Sequence, residues 1–347
     1  MKRYRGKIII AVICMGMSLC GCDRQVQKIT KVDTAMGTII QETLYAEDIK
    51  AGQEAAKEII TNIERLEQDC LSWRMEDAEV AILNSRAGAP EGVILSEALQ
   101  TDLQQIWEVS RASEGALDIT VGQITKLWDL DSWVMENAEV QKEFEVPAQA
   151  TLQELLKHTG YEKVTLTWET IYLPEDMSLD LGAVGKGIAC DRISDYLAEE
   201  EKVKGAVISV GGSIMTYGSK PDGGNWNVAV VHPRKEGAYL GTLSLAGEWY
   251  VSTSGDYERY VEKDGSRYHH IMDPKTGYPA NSGVCSVTIL SDSGLLSDAL
   301  STACFVLGAE EGLTLAETFG AEALFVTEEM KLVMTEGMKH YFVQKQE

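Results

Sequence analysis

Asp180-Leu181-Gly182-Ala183-Val184-Gly185-Lys186-Gly187 places a carboxylate, three glycines and a lysine within eight residues. Ile188, Ala189, Ile193, Tyr196 and Leu197 follow at helical spacing, so Lys186 is expected where a strand turns into a helix N-terminus. Unpaired backbone N–H groups and the positive end of the helix dipole make such a junction a natural anion site. The stretch is not a Walker A loop, because Gly187 stands where Ser or Thr would hold the metal, and it does not match GxGxxG. Taken alone, it fits a plain strand–helix turn equally well.

Outward from this stretch the chain alternates helices and strands without a regular βαβ rhythm. Residues 51–68 carry Ala55, Ala56, Ile59, Ile60, Ile63 and Leu66 on one helical face. Residues 96–113 form a second helix, with Ser96 as N-cap, Leu99, Leu103, Ile106 and Trp107 inward, and Gly115 just past its end. Strand-like runs lie at 164–173, 206–210, 226–231, 239–245, 249–252 and 284–290. A helix at 293–307 follows, then short strands at 323–327, 331–335 and 341–343. Early helices followed by many antiparallel-looking strands predict an α+β fold. No repeat or interdomain linker is visible, and the acid-rich segment 128–153 reads as a surface excursion.

The N-terminus carries Lys2, Arg3, Arg5 and Lys7 before an apolar run of 12 residues at 8–19. A membrane-spanning helix needs about 20 apolar residues, so the run reads as a signal-peptide core. It ends in Leu19-Cys20-Gly21-Cys22, which resembles a bacterial lipobox. Residues 1–21 are then the signal, Cys22 the lipidated first residue, and 22–30 a short polar tether. A diacylglyceryl group on Cys22 supplies the second acyl chain that stable anchoring requires. The expected location is the extracytoplasmic face of the cell membrane.

The formal net charge is −23, and loss of residues 1–21, which hold four cations and no acid, takes it to −27. So acidic a surface argues against nucleic acid or an anionic membrane face as partner. Any phosphate ligand must be held by local groups or by a metal. The thiols of Cys70, Cys190, Cys285 and Cys304 lie in apolar patterns without CxxC spacing and read as buried and free.

On the helix 293–307, Asp298, Ser301 and Thr302 fall at i, i+3 and i+4 and share one face, among Leu295, Leu296, Ala299, Ala303 and Val306. An inward Asp must be paired or coordinated. It either helps bind a hard divalent cation or accepts hydrogen bonds from neighbouring backbone. A third island, His269-His270-Ile271-Met272-Asp273-Pro274-Lys275-Thr276-Gly277, ends in a tight turn. Adjacent strand residues point to opposite faces, so the two histidines should not chelate one ion. One of the two is better read as a proton-handling or positioning group, while the plain reading, an exposed turn histidine, fits His269 more readily than His270.

Met36-Gly37-Thr38, GALDIT at 115–120, DLGAVGKG at 180–187, VGGS at 210–213, STSGDYER at 252–259, HIMDPKTGYP at 270–279 and DALSTA at 298–303 together resemble the FAD:protein FMN transferase family (ApbE-type flavin transferases). The resemblance covers about residues 31–343 as one flavin transferase domain. It implies a T-fold-like single domain of mixed, mainly antiparallel sheet with packed helices. Members are typically exported, often as lipoproteins. They cleave FAD with Mg2+ and attach FMN by a phosphoester to Thr or Ser of a membrane-associated redox protein, releasing AMP. Carried over by motif, Met36, Trp73, Ala116, Leu117, Asp118, Asp180, Lys186 and Met272 resemble the FAD contacts. The carbonyl of Ala183 with Asp298, Ser301 and Thr302 resembles the Mg2+ ligand set, although some relatives carry Asp where Ser301 stands. Ser213 likewise occupies a position where Asp or Asn often follows the two glycines. His270 is the candidate catalytic base. Two further readings keep the same pocket: an FAD pyrophosphatase that uses water as acceptor, and a lipid-anchored flavin- or solute-binding protein.

Overall fold

The computed structural model describes residues 26–135, 144–167 and 170–346. The signal segment and Cys22 lie outside the described residues.

The described chain opens with an antiparallel hairpin, β1 (Gln27–Ala35) and β2 (Thr38–Ala46). Met36 and Gly37 both have positive φ (51° and 63°), the signature of a two-residue turn whose twist matches the strands. Helix α1 (Ile49–Arg65) is capped by Asp48, which accepts from the Ala51 amide, and it ends in one wide turn at Leu66–Leu71. There follow α2 (Glu79–Ser85), β3 (Val93–Ile94), α3 (Glu97–Ala112), α4 (Gly122–Trp128), α5 (Leu130–Met135) and α6 (Gln149–Leu155). Ser96 caps α3 as the sequence predicts. Then come β4 (Thr165–Leu166), β5 (Thr170–Tyr172) and α7 (Gly185–Glu199).

The strands β6 (Val203–Val210), β7 (Ser213–Gly218), β8 (Trp226–Val231), β9 (Tyr239–Leu245) and β10 (Trp249–Gly255) occupy the middle of the chain. A small hairpin, β11 (Tyr260–Lys263) and β12 (Ser266–His269), precedes β13 (Val284–Ser291). Helices α8 (Gly294–Leu307) and α9 (Ala309–Thr318) lead to β14 (Glu322–Thr327) and β15 (Leu332–Met334). The chain closes with α10 (Met338–Tyr341) and β16 (Phe342–Gln344).

One eight-stranded sheet, ordered β1-β2-β6-β7-β10-β13-β14-β15, organises the molecule. All its pairings are antiparallel, and it stays open with β1 and β15 as edges. Helices α1, α7 and α8 cover one face, and α3 packs across α8. A small sheet, β16-β9-β8, closes the other face through Trp226, Val228 and Leu243 against Val251, Leu290 and Val326. Covered on both sides, every residue of β13 is buried. The α+β class and the mainly antiparallel sheet are as expected. Among the described residues no helix is long and apolar enough to cross a membrane.

Three sequence expectations need correction. The tether is shorter than residues 22–30, because Gln27 already pairs with Ala46. Only Ile29 and Ala35 of β1 are buried, so this edge strand carries almost no hydrophobic signal. Segment 128–153 is not a mere surface excursion: Trp128, Leu130, Phe144 and Leu152 form an aromatic-rich core of their own with Ile124 and Met272. Trp128 stacks on Phe144 and Tyr268, and its indole N–H donates to the Gly277 carbonyl at 2.8 Å. The run at 164–173 splits into two short antiparallel strands, β4 and β5, with Thr167 and Thr170 hydrogen-bonded to each other at the end of the pair.

Candidate active site

The glycine–lysine stretch and the late helix meet. Lys186 lies in the first turn of α7, and the Gly187 amide donates to Asp298 Oδ2 of α8 at 2.9 Å. Such an approach requires glycine on both sides. A Cβ on Gly187 would run into the Gly294 carbonyl and lie 2.7 Å from Asp298 Cβ, and a Cβ on Gly294 would strike the Gly187 carbonyl. Ser213, at the start of β7, donates to Asp298 Oδ1 at 3.2 Å. Asp298 is only 4% exposed, so these donors answer the cost of burying its carboxylate.

Val184 caps α7, so Lys186 and Gly187 are its second and third residues and their amides lack an intrahelical acceptor. The Ala183 carbonyl, just before the cap, takes no hydrogen bond among the described residues. The head of α7 thus presents an unclaimed carbonyl four residues before the amide that Asp298 accepts, and the Lys186 amide has no protein acceptor among the described residues.

Hydroxyl groups line the seam between β10 and α8. Ser252 bonds to Ser297 at 2.8 Å, and Ser254 bonds to Ser301 at 2.8 Å and to Thr302 at 3.4 Å. Ser301 is fully buried and donates to the Asp298 carbonyl at 2.9 Å, so its proton is committed to its own helix. Thr302 is half-buried at the rim.

The other sequence-predicted residues lie on the surrounding elements, and not all of them reach this junction. Asp180 accepts from the Gly182 amide (2.8 Å) and from Thr125 of α4 (2.7 Å), which pins the start of the glycine stretch. Its own amide donates to the Ile119 carbonyl, which draws the 116–120 loop alongside. Ala116, Leu117 and Asp118 are buried. Asp118 accepts from the amide and hydroxyl of Thr120 and from the Tyr161 amide, so its carboxylate organises its own loop. Burial raises that carboxyl, and the Thr120 and Tyr161 donors oppose the rise. At the turn of the β1–β2 hairpin, Met36 donates its amide to Glu67 and brings its methyl close to Gly185. Met272 is buried in the aromatic core behind α4. Trp73 lines a separate depression of about 490 Å³ with Asn84, Gln123, Lys126 and Ser178. Its buried indole N–H lacks an acceptor among the described residues. That depression includes neither Lys186 nor Asp298 in its lining.

The histidine pair divides as the alternation predicts. His269 is buried, with Nε2 3.0 Å from the Ala280 carbonyl and Nδ1 accepting from the Ile271 amide. It packs edge-on against Phe305, and burial lowers its pKa. It is a neutral structural histidine. His270 is half-buried, and its Nδ1 lies 3.4 Å from the Arg259 carbonyl.

Sequence reading missed Glu258. It packs against Gly212, where a Cβ would come within 3.1 Å of its Oε1, and it shares the electrostatic field of Lys186, Arg259 and Asp298. Desolvation raises its carboxyl, Lys186 and Arg259 pull it down, and Asp298 pushes it up. The available signal was a carboxylate within the STSGDYER loop, masked by the Ser-Thr-Ser run. Among the described residues Cys70, Cys190, Cys285 and Cys304 are free; the last three are buried and Cys70 is partly so.

Comparison with known proteins identifies the family. The model of the ApbE family matches residues 36–325. The FAD:protein FMN transferase of Treponema pallidum is 30% identical, with 96% of this chain and 94% of that protein covered. The one from Vibrio cholerae is 29% identical, with 93% of each covered. Among solved structures, the ApbE protein of Thermotoga maritima superposes with a TM-score of 0.80 at 30% identity, covering 92% of this chain and 100% of that one. The flavin transferase ApbE from Vibrio cholerae gives 0.78 at 26% identity, covering 91% and 99%. With a family match across most of its length and a relative of 30% identity covering nearly all of it, the chain belongs to the ApbE family.

Proposed function

We propose that this protein is an FAD:protein FMN transferase that uses a divalent cation, with Mg2+ the expected ion, to move FMN from FAD to a Thr or Ser hydroxyl of an acceptor protein. The observation that carries this reading is the buried Asp298 carboxylate held at the head of α7 by the Gly187 amide, in the same turn where the Ala183 carbonyl takes no hydrogen bond among the described residues. Ala183, Asp298 and Thr302 supply a carbonyl, a carboxylate and a hydroxyl, the oxygen donors a hard cation prefers. Ser301 supports them as a neutral hydroxyl, so the site depends more on substrate phosphate than one with a second carboxylate. A cation bound there acts as a Lewis acid on the pyrophosphate of FAD.

The chain's own groups do the rest. The Lys186 ammonium and the free amide at the head of α7 offer local positive potential to the pyrophosphate in an otherwise acidic protein. The acceptor hydroxyl oxygen bonds to the phosphorus on the FMN side while the bond to the bridging oxygen breaks. AMP leaves with that oxygen, and His270 takes the hydroxyl proton. Met36, Asp118 and Asp180, on elements around the head of α7, are the residues expected to orient FAD there, and Trp73 and Met272 are expected to contact it farther out. A membrane-associated redox protein is the expected acceptor, and Cys22 lipidation would hold this chain on the extracytoplasmic face beside it.

Mass spectrometry of an acceptor protein incubated with this enzyme, FAD and Mg2+ tests the reading. A covalent FMN adduct with release of AMP supports transfer. Free FMN with AMP supports a pyrophosphatase, and intact FAD supports a flavin-binding protein. A His270→Ala variant should lose about 10²-fold in rate, whereas His269→Ala should lower Tm.

A further inference from the structure

Helices α7 and α8 cap each other. Asp191, one turn beyond Gly187 on α7, accepts from the Gly294 amide (2.6 Å, Oδ1) and the Leu295 amide (2.8 Å, Oδ2), with the Ser293 hydroxyl at 3.4 Å. These are the first two amides of α8. The third, at Leu296, goes to the Ser293 side chain at 3.3 Å. In return Asp298 of α8 receives the Gly187 amide of α7. Two carboxylates thus bracket the backbone contact between Gly187 and Gly294, each satisfying amides that helix geometry leaves open.

The two are not equivalent. Asp298 is the carboxylate assigned above to the cation. Asp191 is half-buried and lines a different depression, with Asp102, Arg192, Ser194 and Glu248, that contains none of Ala183, Lys186 or Thr302. Capping an N-terminus with a single Ser or Asp is common. Here the second cap comes from another helix, so it ties the axial position of α8 to α7. The Ala183 carbonyl belongs to the head of α7, whereas Asp298 and Thr302 ride on α8. Their spacing is therefore set by the one carboxylate that grips both helices without facing the proposed cation.

We propose that Asp191 is a positioning residue for the cation site: through the Gly294 and Leu295 amides it fixes Asp298 and Thr302 of α8 at the distance from the Ala183 carbonyl that a small cation requires. The inference rests on the cation reading above. It assigns cation affinity to a residue that contacts neither cation nor substrate. A site with one carboxylate and neutral oxygens is especially sensitive to this spacing, because Mg2+ demands near-ideal geometry.

Mn2+ binding, followed by electron paramagnetic resonance of the free ion with and without FAD, reads this directly. In Asp191→Ala the Mn2+ Kd should rise at least about tenfold, and FAD binding measured without metal by flavin fluorescence should stay within about twofold. Asp191→Asn keeps one acceptor oxygen and should give an intermediate rise; it carries the test if the alanine variant does not fold. Steady-state kinetics should show the same split, with the metal activation constant raised and KM for FAD little changed. A merely structural cap would lower Tm in both variants and leave the Mn2+ Kd within twofold of the parent, which overturns this inference alone. Absence of Mn2+ binding in the parent protein, with Asp298→Ala no different from it, overturns the cation reading and this inference together.

Discussion

Asp298 and Glu42 are both inward-facing carboxyls at nearly the same exposure, 4% and 1%, and the protein treats them in opposite ways. Asp298 stands where two helices meet and accepts an amide and a hydroxyl. Glu42 lies on β2, facing the same side as Ile40 and Leu44 and paired across the sheet with Lys31 and Ile208. Neither of its oxygens has a hydrogen-bond partner among the described residues. Burial, and secondarily Asp33, push its pKa from 4.5 to about 8, with Lys31 opposing, so it is largely protonated at neutral pH. The difference teaches how to read a buried acid. Donors converging on it mark a site prepared for charge, whereas a partnerless one is neutralised and costs stability.

The largest expected effect lies on the first side of that comparison. Asp298→Ala should lower Mg2+-dependent FMN transfer by at least about 10³-fold, the several kcal/mol that a Lewis-acid metal contributes, while the protein stays folded and partly binds FAD. Turnover of an acceptor protein checks it, and unchanged turnover breaks the contrast. Next comes the glycine contact that delivers the amide to Asp298. Gly187→Ala should cost about 3 kcal/mol, read from denaturant midpoints, because its Cβ meets backbone on α8.

On the other side, Glu42→Met should stabilise the protein by about 1–2 kcal/mol at pH 7 by removing an unsatisfied buried group. It should also remove a pH dependence of defined sign. The folded pKa of about 8 exceeds the ordinary 4.5, so the protonated form is the one folding favours. Its contribution is fully present below pH 4.5 and is lost as pH rises towards 8, with a slope of up to about 1.4 kcal/mol per unit. Urea melts across that window should show the slope in the parent and its loss in Glu42→Met. Smallest is Ser213→Ala, which removes one of two donors to Asp298 and should cost about 1 kcal/mol. An effect as large as that of Gly187→Ala would show that the hydroxyl, not the amide, governs the pocket.

Much of the site was legible because its elements announce themselves locally. Ser96 and Ser293 cap the helices they precede, and the i, i+3, i+4 spacing placed Asp298, Ser301 and Thr302 on one face. The meeting of α7 with α8 depends on Gly187 and Gly294, more than a hundred residues apart, and periodicity in a single sequence carries no such pairing. The motif resemblance supplied it. β1 escaped because an edge strand with two buried residues shows no alternation. The aromatic core around Trp128 was hidden by the acids around it. Glu42 had a local signal, lying between Ile40 and Leu44 at period two, but the 31–46 stretch was not read as strand. Asp191 reads in sequence as an exposed helical acid, since its partners are backbone amides that no side-chain pattern reveals.

The central claim is that an oxygen-lined cation pocket at the heads of α7 and α8 grips the pyrophosphate of FAD. A crystal grown with FAD and Mn2+, measured at the manganese absorption edge, tests it most directly. The account predicts an anomalous peak bonded to Asp298 and to the Ala183 carbonyl, with a phosphate oxygen of FAD completing the contact and Lys186 beside it. A peak elsewhere in the molecule, or FAD bound with its phosphates remote from Asp298, would contradict it.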